Sequence, residues 1–274
     1  ENRNLLCLNT RTSTLIALYA SIFGTKTRLG KPASNVEDKI EKRIINGWPA
    51  PDGQVPWAGH MKAIVGRRSF YGCGVTIIST QWLLTVAHCF SLKAENYLNQ
   101  RRRILHFHVE QIVVHPNYDQ RNWFHDLALV KVRGQIPIDG TYVAIANLPP
   151  AGNPNNIPEV GSINYVVGFG CLYVGGDVVN RAHVIGLRTN TQQECTSTYG
   201  SRYVDLFTQF CAGYFRQNRG TCSGDSGSGL ISFQYGQPMI VGVASSTNKH
   251  AISNLPAKFM RVATYVSWIR QYVG

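Results

Sequence analysis

Short apolar runs separated by turn residues dominate the middle of the chain. Runs of this length that are alternating or wholly apolar, with Gly, Pro and Asn at their ends, are typical of β-strands. The predicted strands include residues 59–65, 75–78, 111–114, 127–132, 163–167 and 238–244. The chain has 26 Gly and 12 Pro among its 274 residues, so turns are frequent and the pattern favours an all-β protein.

Two further patterns outline the domain. The apolar residues Val262, Val266, Ile269 and Val273 are four, three and four positions apart, which predicts an amphipathic helix over about 263–274. Residues 148–161 are rich in Pro, Gly and Asn. They predict a connection between two β units, one at about 44–150 and the other at about 160–260.

The first 43 residues differ from the rest of the chain. An apolar run at 15–23 follows Arg11 and is too short to cross a bilayer. It predicts a secretory signal peptide over 1–24 that is removed, and therefore an extracellular protein; the alternative is a buried strand. Residues 25–43 are polar, contain no aromatic residue or cysteine, and end in Lys42-Arg43. They predict a flexible activation propeptide, which leaves 44–274 as the functional domain.

The composition excludes a disordered chain, because 44% of the residues are hydrophobic and only 15% are charged. The net charge of +12 has two interpretations: a polyanionic partner, or a basic secreted protein without one. The basic residues are mostly scattered and no nucleic-acid-binding motif accompanies them, so we predict no nucleic-acid partner.

Three separate segments carry residue types suited to catalysis. Residues 82–89 are an apolar run that ends in His88 and Cys89, and Asp126 stands at the head of the apolar run 127–130. Ser226 lies among glycines in the segment 220–229. A serine hydroxyl is a weak nucleophile that needs a base, histidine has a suitable pKa, and a carboxylate can hold the imidazole in one tautomer.

These segments, TVAHC, DLALV and GDSG, together with IING at 44–47 and QVPW at 54–57, resemble the chymotrypsin/trypsin family of serine proteases. The resemblance covers about 44–274. It implies two packed six-stranded antiparallel β-barrels with a short C-terminal helix. It also implies that His88 is the general base, that Asp126 orients it, and that Ser226 is the nucleophile. The backbone N–H groups of Gly224 and Ser226 would form the oxyanion hole.

The resemblance further implies activation by proteolysis. A trypsin-like protease would cut after Arg43 and free the ammonium group of Ile44. That group would pair with the carboxylate of Asp225, the residue before the nucleophile, and so order the oxyanion hole.

The substrate pocket departs from the family pattern. Gly220 stands where members that cleave after Arg or Lys carry Asp, so trypsin-like specificity is not expected. Thr247 and Ala257 would narrow a pocket that glycines keep open elsewhere. The resemblance thus implies cleavage after small or medium apolar residues, or aromatic ones. The strand that would bind the substrate runs Ser245-Ser246-Thr247, where the family usually has Trp and Gly after the first serine.

The chain has seven cysteines. Cys7 would leave with the signal peptide. The resemblance implies the disulfides Cys73–Cys89 and Cys195–Cys211, whereas Cys171 and Cys222 lack their usual partners. We predict that Cys171 and Cys222 bond to each other; the alternative is two free thiols.

These inferences predict a secreted, monomeric serine endopeptidase with no cofactor and no metal, and with no transmembrane segment. Its partners would be protein or peptide substrates, an activating protease and protein inhibitors. The alternative is a weak or inactive homologue that binds anionic partners or acts in immunity or clotting. Trp123 either lines the substrate cleft or packs in the core. His106 and His108 are a weak candidate metal pair, because no further ligands stand at a suitable spacing.

Overall fold

The computed structural model describes residues 16–22, 45, 47–51, 53–65, 68–90, 105–151, 156–171, 173, 175–176, 182–248 and 251–274. The strands of these residues are β1 (Ile16–Ile22), β2 (Trp48–Pro49), β3 (Ala58–Val65), β4 (Arg68–Ile77), β5 (Trp82–Thr85), β6 (Leu105–Val114), β7 (Ala128–Val132), β8 (Ile163–Gly168), β9 (His183–Arg188), β10 (Gln209–Ala212), β11 (Gly229–Gln234), β12 (Gln237–Ser246) and β13 (Ala257–Arg261). The α-helices are α1 (Gln192–Tyr199) and α2 (Val262–Val273). Each strand named from the sequence overlaps one of these strands.

The first β unit is a closed barrel with the strand order β1-β3-β4-β5-β7-β6. Neighbouring strands are antiparallel throughout. The side chains of Ile77, Leu83 and Leu129 are fully buried, and they belong to one apolar cluster that continues to the second unit.

The second unit is a curled antiparallel sheet with the order β10-β13-β12-β11-β8-β9-β2. A bridge between Thr189 and Ala212 joins β9 back to β10, so six of its strands close on themselves and β2 extends the sheet beyond β9. Val166, Ile185 and Phe259 lie in its buried core. The prediction of two six-stranded barrels with a C-terminal helix is therefore confirmed.

Strand β1 comes from the apolar run for which the sequence left two interpretations open. It pairs with β3 over seven residues and with β6 over four, and it closes the first barrel between them. The structure thus has this run as a strand. Removal of 1–24 as a signal peptide stays a prediction.

Helix α2 begins one residue before the predicted start. Val262, Val266 and Ile269 are completely buried, and Tyr265 and Ile269 join the apolar cluster of the first barrel. The apolar stripe read from the sequence is thus the face by which the helix packs. Among the described residues, no helix is long and apolar enough to cross a membrane.

Three disulfides are present: Cys73–Cys89, Cys171–Cys222 and Cys195–Cys211. The second of them forms a small buried cluster with Ile45. Ile45 is therefore held beside Cys222, four residues before Ser226.

Candidate active site

His88 is positioned by the strand that precedes it. Leu83 and Leu84 of strand β5 are completely buried, and the chain then forms a 3₁₀ turn, Ala87–Phe90. The Cys73–Cys89 disulfide ties this turn to β4. His88 is consequently fixed at the edge of the first barrel, with 3% of its surface exposed.

The carboxylate of Asp126 is fully buried and accepts three hydrogen bonds. His88 donates its backbone N–H to Oδ1 at 2.8 Å, and its Nδ1 lies 2.7 Å from Oδ2. The hydroxyl of Ser245 donates to the same Oδ2 at 2.7 Å. A carboxylate accepts only, so Nδ1 of His88 carries the proton and Nε2 is left as the acceptor that a general base needs.

The loop that contains Ser226 is anchored between the two barrels. Gly74 of β4 donates its N–H to the carbonyl oxygen of Ser226 at 2.7 Å, and Gly227 donates to Ala244 of β12 at 2.8 Å. Gly74 adjoins Cys73, which is bonded to the residue after His88. A side chain at Gly227 would collide with Thr85 and with the carbonyl of Gly74, so only glycine fits there.

The N–H groups of Gly224 and Ser226 donate to no acceptor among the described residues. Gly224 has a φ of 96°, a backbone conformation in the region that glycine adopts readily. Two N–H groups without an acceptor among the described residues, one on each side of Asp225, are suited to bind an oxyanion.

Within the described part of the chain, no hydrogen bond joins the Ser226 hydroxyl to the His88 ring. The structure thus brings His88, Asp126 and Ser245 together and anchors the loop of Ser226 beside Ala244, while the bond between Ser226 and His88 is not formed among the described residues. In proteases without substrate this contact is often long and shortens when substrate binds.

Asp225, directly before Ser226, is buried, with 1% of its surface exposed. Its two carboxylate oxygens accept the N–H groups of Gly170 and Cys222, each at 2.8 Å. Burial raises the pKa of the Asp225 carboxyl to about 6, although the two backbone donors act in the opposite direction. A buried carboxylate with raised pKa is a site that would gain from a cationic partner.

The start of the functional domain lies close to Asp225. Ile45 is 3% exposed, packs on the Cys171–Cys222 disulfide and accepts the N–H of Gly220 at 3.2 Å. Arg43 and Ile44 lie outside the described residues. The pairing of the Ile44 ammonium group with Asp225 therefore stays a prediction.

The predicted pocket residues are partly accounted for. The Ser245 hydroxyl donates to Asp126, and a Cβ added at Gly220 would lie 3.3 Å from the Cα of Ser253. Thr247 follows the last residue of β12, and Ala257 begins β13. A shared substrate pocket made by Gly220, Thr247 and Ala257 stays a prediction.

Trp123 lies against His88 rather than in the core of a barrel. Its ring is stacked on that of His88, with centroids 4.4 Å apart and an interplanar angle of 16°. The side chain of Gln209 holds the Trp123 carbonyl at 3.1 Å, in a turn where Trp123 has a φ of 58°. Of the two interpretations of Trp123 from the sequence, the structure favours the one beside the site.

Two features near the site had no signal in the sequence. His125 stacks on His115 at 5.1 Å, and its Nδ1 lies 3.1 Å from the hydroxyl of Tyr265 on α2. Burial, and secondly the neighbouring His125, lower the pKa of His115 to about 4. The second feature is the buried Lys258 on β13. The residues that contact His125 and Lys258 are far from them in the sequence, so no local pattern predicts these contacts.

Comparison with known proteins places this geometry in a family. A family model described as Trypsin matches residues 44–269. The chain is 27% identical over 266 residues to vitamin K-dependent protein C of Mus musculus. The aligned region covers 91% of this chain and 56% of the relative. It is also 27% identical over 276 residues to CLIP domain-containing serine protease B4 of Anopheles gambiae, with 91% and 76% covered.

The rat protein C is similar to the same degree, 27% over 253 residues, with 87% of this chain and 53% of the relative covered. This chain thus spans about half the length of the two protein C relatives. The family model covers most of the chain, including His88, Asp126 and Ser226. The chain belongs to the trypsin family of serine proteases.

Proposed function

We propose that the chain is a secreted serine endopeptidase, made as an inactive precursor and activated by cleavage after Arg43. The observation that carries the proposal is the bonded set of His88, Asp126 and Ser245. It lies close to a loop in which the N–H groups of Gly224 and Ser226 have no acceptor among the described residues.

The proposed chemistry begins at the hydroxyl of Ser226. His88 Nε2 takes the hydroxyl proton as Oγ bonds to the carbonyl carbon of the substrate, and the carbonyl oxygen becomes an anion bound by Gly224 and Ser226 N–H. Asp126 stabilises the imidazolium. His88 then gives the proton to the leaving amine as the C–N bond breaks. Water attacks the remaining ester while His88 takes its proton, and that proton returns to Ser226 as the acid leaves.

The proposed activation step acts through Asp225. In the uncut chain this carboxylate accepts two backbone N–H groups and has no cationic partner among the described residues, and its pKa is raised. The ammonium group of Ile44, freed by the cut, would supply a cation at the place to which Ile45 already leads the chain. A buried pair of this kind loses about 3–5 kcal/mol when one partner is removed, which is enough to control whether the oxyanion hole forms.

The proposed substrates are cleaved after small or medium apolar residues, or aromatic ones. Gly220 offers no charge to a basic side chain, and Thr247 and Ala257 add bulk to the walls. The test is a library of peptides that vary at the residue before the cleaved bond, incubated with the protein after treatment with trypsin and removal of the trypsin. We expect cleavage after Ala, Val, Leu or Phe and none after Arg or Lys; preferred cleavage after Arg or Lys would overturn the pocket assignment.

An inactive homologue is the second candidate function. It is favoured by the fact that no hydrogen bond joins Ser226 to His88 among the residues described, and by Ser246 in place of the usual tryptophan of the proposed substrate-binding strand. Such a protein would bind heparin through its surplus of 12 positive charges and would hydrolyse none of the peptides. Binding measured with immobilised heparin, next to the same peptide library, separates the two candidates.

A further inference from the structure

Lys258 is a buried cation that has no carboxylate partner in the part of the chain that the structure describes. Only 6% of its surface is exposed, its ammonium group donates to the carbonyl oxygen of Tyr203 at 3.1 Å, and it lies 5.1 Å from the centroid of the Tyr199 ring. Among the described residues, no carboxylate oxygen lies within 4.0 Å of this nitrogen. An ammonium group has three donors, and a buried charge is costly unless it is paired.

The register of the sheet places Lys258 directly opposite Ser246. The two residues are Cα partners in the antiparallel pair of β12 and β13, so their side chains lie on the same face of the sheet. The hydroxyl of Ser246 is buried and has no hydrogen-bond partner within the part of the chain described. Burial lowers the pKa of Lys258 and the charge of Asp126 partly offsets this effect, so the ammonium group is near enough to feel the catalytic carboxylate.

This end of β12 has a free edge beside the nucleophile. The pairing of β11 with β12 ends at Gly229 and Val243, and Ala244 then bonds to the backbone of Gly227 and Ser228. Beyond that point, Ser245 and Ser246 have β13 on one side and no described strand on the other. An extended peptide can add to such an edge, with its scissile bond at Ser226 and its preceding residues along Ser246.

We propose that Lys258 and Ser246 form a subsite for the carboxylate of an Asp or Glu side chain that precedes the cleaved bond by two to four residues. The inference rests on the proposed endopeptidase function. A substrate carboxylate would supply the anionic partner that Lys258 does not have among the described residues, and an acceptor for the Ser246 hydroxyl, which has none there. A charge-assisted hydrogen bond of this kind is about twice as strong as a neutral one.

The test compares peptides that are identical except for Glu or Gln at the second, third or fourth residue before the cleaved bond. For the activated protein we expect kcat/KM to be at least about tenfold higher with Glu at one of these positions, mainly through KM. In Lys258→Met the Glu-to-Gln ratio should fall to about one, and in Lys258→Arg it should persist. Lys131→Met is the control: it removes an exposed lysine paired with Glu110 and should leave the ratio unchanged.

The outcomes separate the subsite from the proposed function. Equal cleavage of the Glu and Gln peptides by the unaltered protein, or a preference that survives in Lys258→Met, overturns the subsite alone. If no peptide is cleaved, the endopeptidase function has failed. The subsite is then judged by fluorescence polarisation of labelled peptides on Ser226→Ala, where about tenfold tighter binding of the Glu peptide supports it and equal binding rejects it. If Lys258→Met fails to fold, the proposal is still tested by the two comparisons of Glu and Gln peptides that keep Lys258: cleavage by the unaltered protein and binding to Ser226→Ala.

Discussion

The environment of Asp126 shows how single residues define the site. A buried carboxylate is tolerated because three donors surround it, two from His88 and one from Ser245. The sequence singled out His88 at the end of one apolar run and Asp126 at the head of another, and the resemblance to the serine protease family supplied their predicted roles. It did not predict that the Ser245 hydroxyl donates a hydrogen bond to Asp126, or that Trp123 stacks on His88, since both contacts join distant segments.

The bond between Asp126 and His88 makes a direct prediction. In Asp126→Asn the side-chain amide would present a donor to Nδ1, so the ring would hold its proton on Nε2 and lose the acceptor required by Ser226. We expect kcat to fall about 10⁴-fold. Asp119→Asn is the control, because the Asp119 side chain bonds, among the described residues, to Arg121 and Asn122 in an exposed turn and the substitution leaves its backbone bonds in place. Equal rates in the two variants, measured by peptide hydrolysis, would contradict the role given to Asp126.

Asp225 predicts a pH dependence of stability in the uncut chain. Its pKa is raised from 3.8 to about 6 in the folded state, so the folded state binds the proton more tightly than the unfolded state. The contribution to stability is therefore full below about pH 4 and is lost as the pH rises through about 6, an effect of about 3 kcal/mol. The free energy of unfolding of Arg43→Gln should fall by about this amount between pH 4 and 7, relative to the double variant Arg43→Gln/Asp225→Asn. If the free energies of unfolding of the two variants, measured with urea, change in parallel with pH, the charge on Asp225 does not destabilise the uncut chain.

At the scale of elements, the contact between α2 and the Asp126 segment is a histidine cluster. His115 stacks on His125 and packs edge-to-face on Tyr265 and Trp268 of the helix. The sequence predicted the helix from its apolar stripe, because a 3.6-residue period is a local property. It could not predict the histidine contacts, which depend on how two distant segments meet.

The histidine cluster predicts a dependence on pH opposite to that of Asp225. The pKa of His115 is lowered from 6.5 to about 4, so its contribution to stability is present above about pH 6.5 and is lost as the pH falls through 4. His115→Phe keeps the aromatic packing and removes the titration. We expect the Tm of the unaltered protein to fall relative to that of His115→Phe as the pH is lowered from 7 to 4. A constant difference in Tm over this range would show that His115 does not titrate there.

Strand β1 predicts the effect of removing the N-terminal segment. It contributes seven residue pairs to β3 and four to β6, so a chain without residues 1–24 leaves both strand edges open in the first barrel. We expect this truncated chain to have a lower Tm than the full chain, measured by circular dichroism. An unchanged Tm would instead support the interpretation of 1–24 as a removable signal peptide.

At the scale of the whole molecule, two barrels meet so that each supplies part of the site. The first barrel holds His88 and Asp126, and the second holds Ser226 and Ser245. The fold was predictable from short motifs because these residues occur in a fixed order with apolar strands around them. The position of Lys258 opposite Ser246 was not, because it depends on the register of β12 and β13 at an irregular point between Ala244 and Ser246.

The proposed activation by cleavage after Arg43 predicts the behaviour of a variant that cannot be cut at this bond. Arg43→Gln should resist trypsin at this bond and retain only background hydrolysis, since no ammonium group would reach Asp225. The measurement is the rate of peptide cleavage before and after trypsin treatment, with N-terminal sequencing of the product. Arg133→Gln, an exposed change within the domain, should activate normally. Full activity of uncut Arg43→Gln would refute the activation mechanism.

The central claim is that Ser226 is a nucleophile activated by His88, and covalent labelling tests it most directly. The protein is activated with trypsin, freed of it and treated with a fluorophosphonate, and its intact mass is measured beside those of Ser226→Ala and Ser223→Ala. We predict one adduct, located at Ser226 by peptide mapping, that is absent from Ser226→Ala and present in Ser223→Ala. No adduct on the activated protein, or an adduct that persists in Ser226→Ala, would contradict the claim.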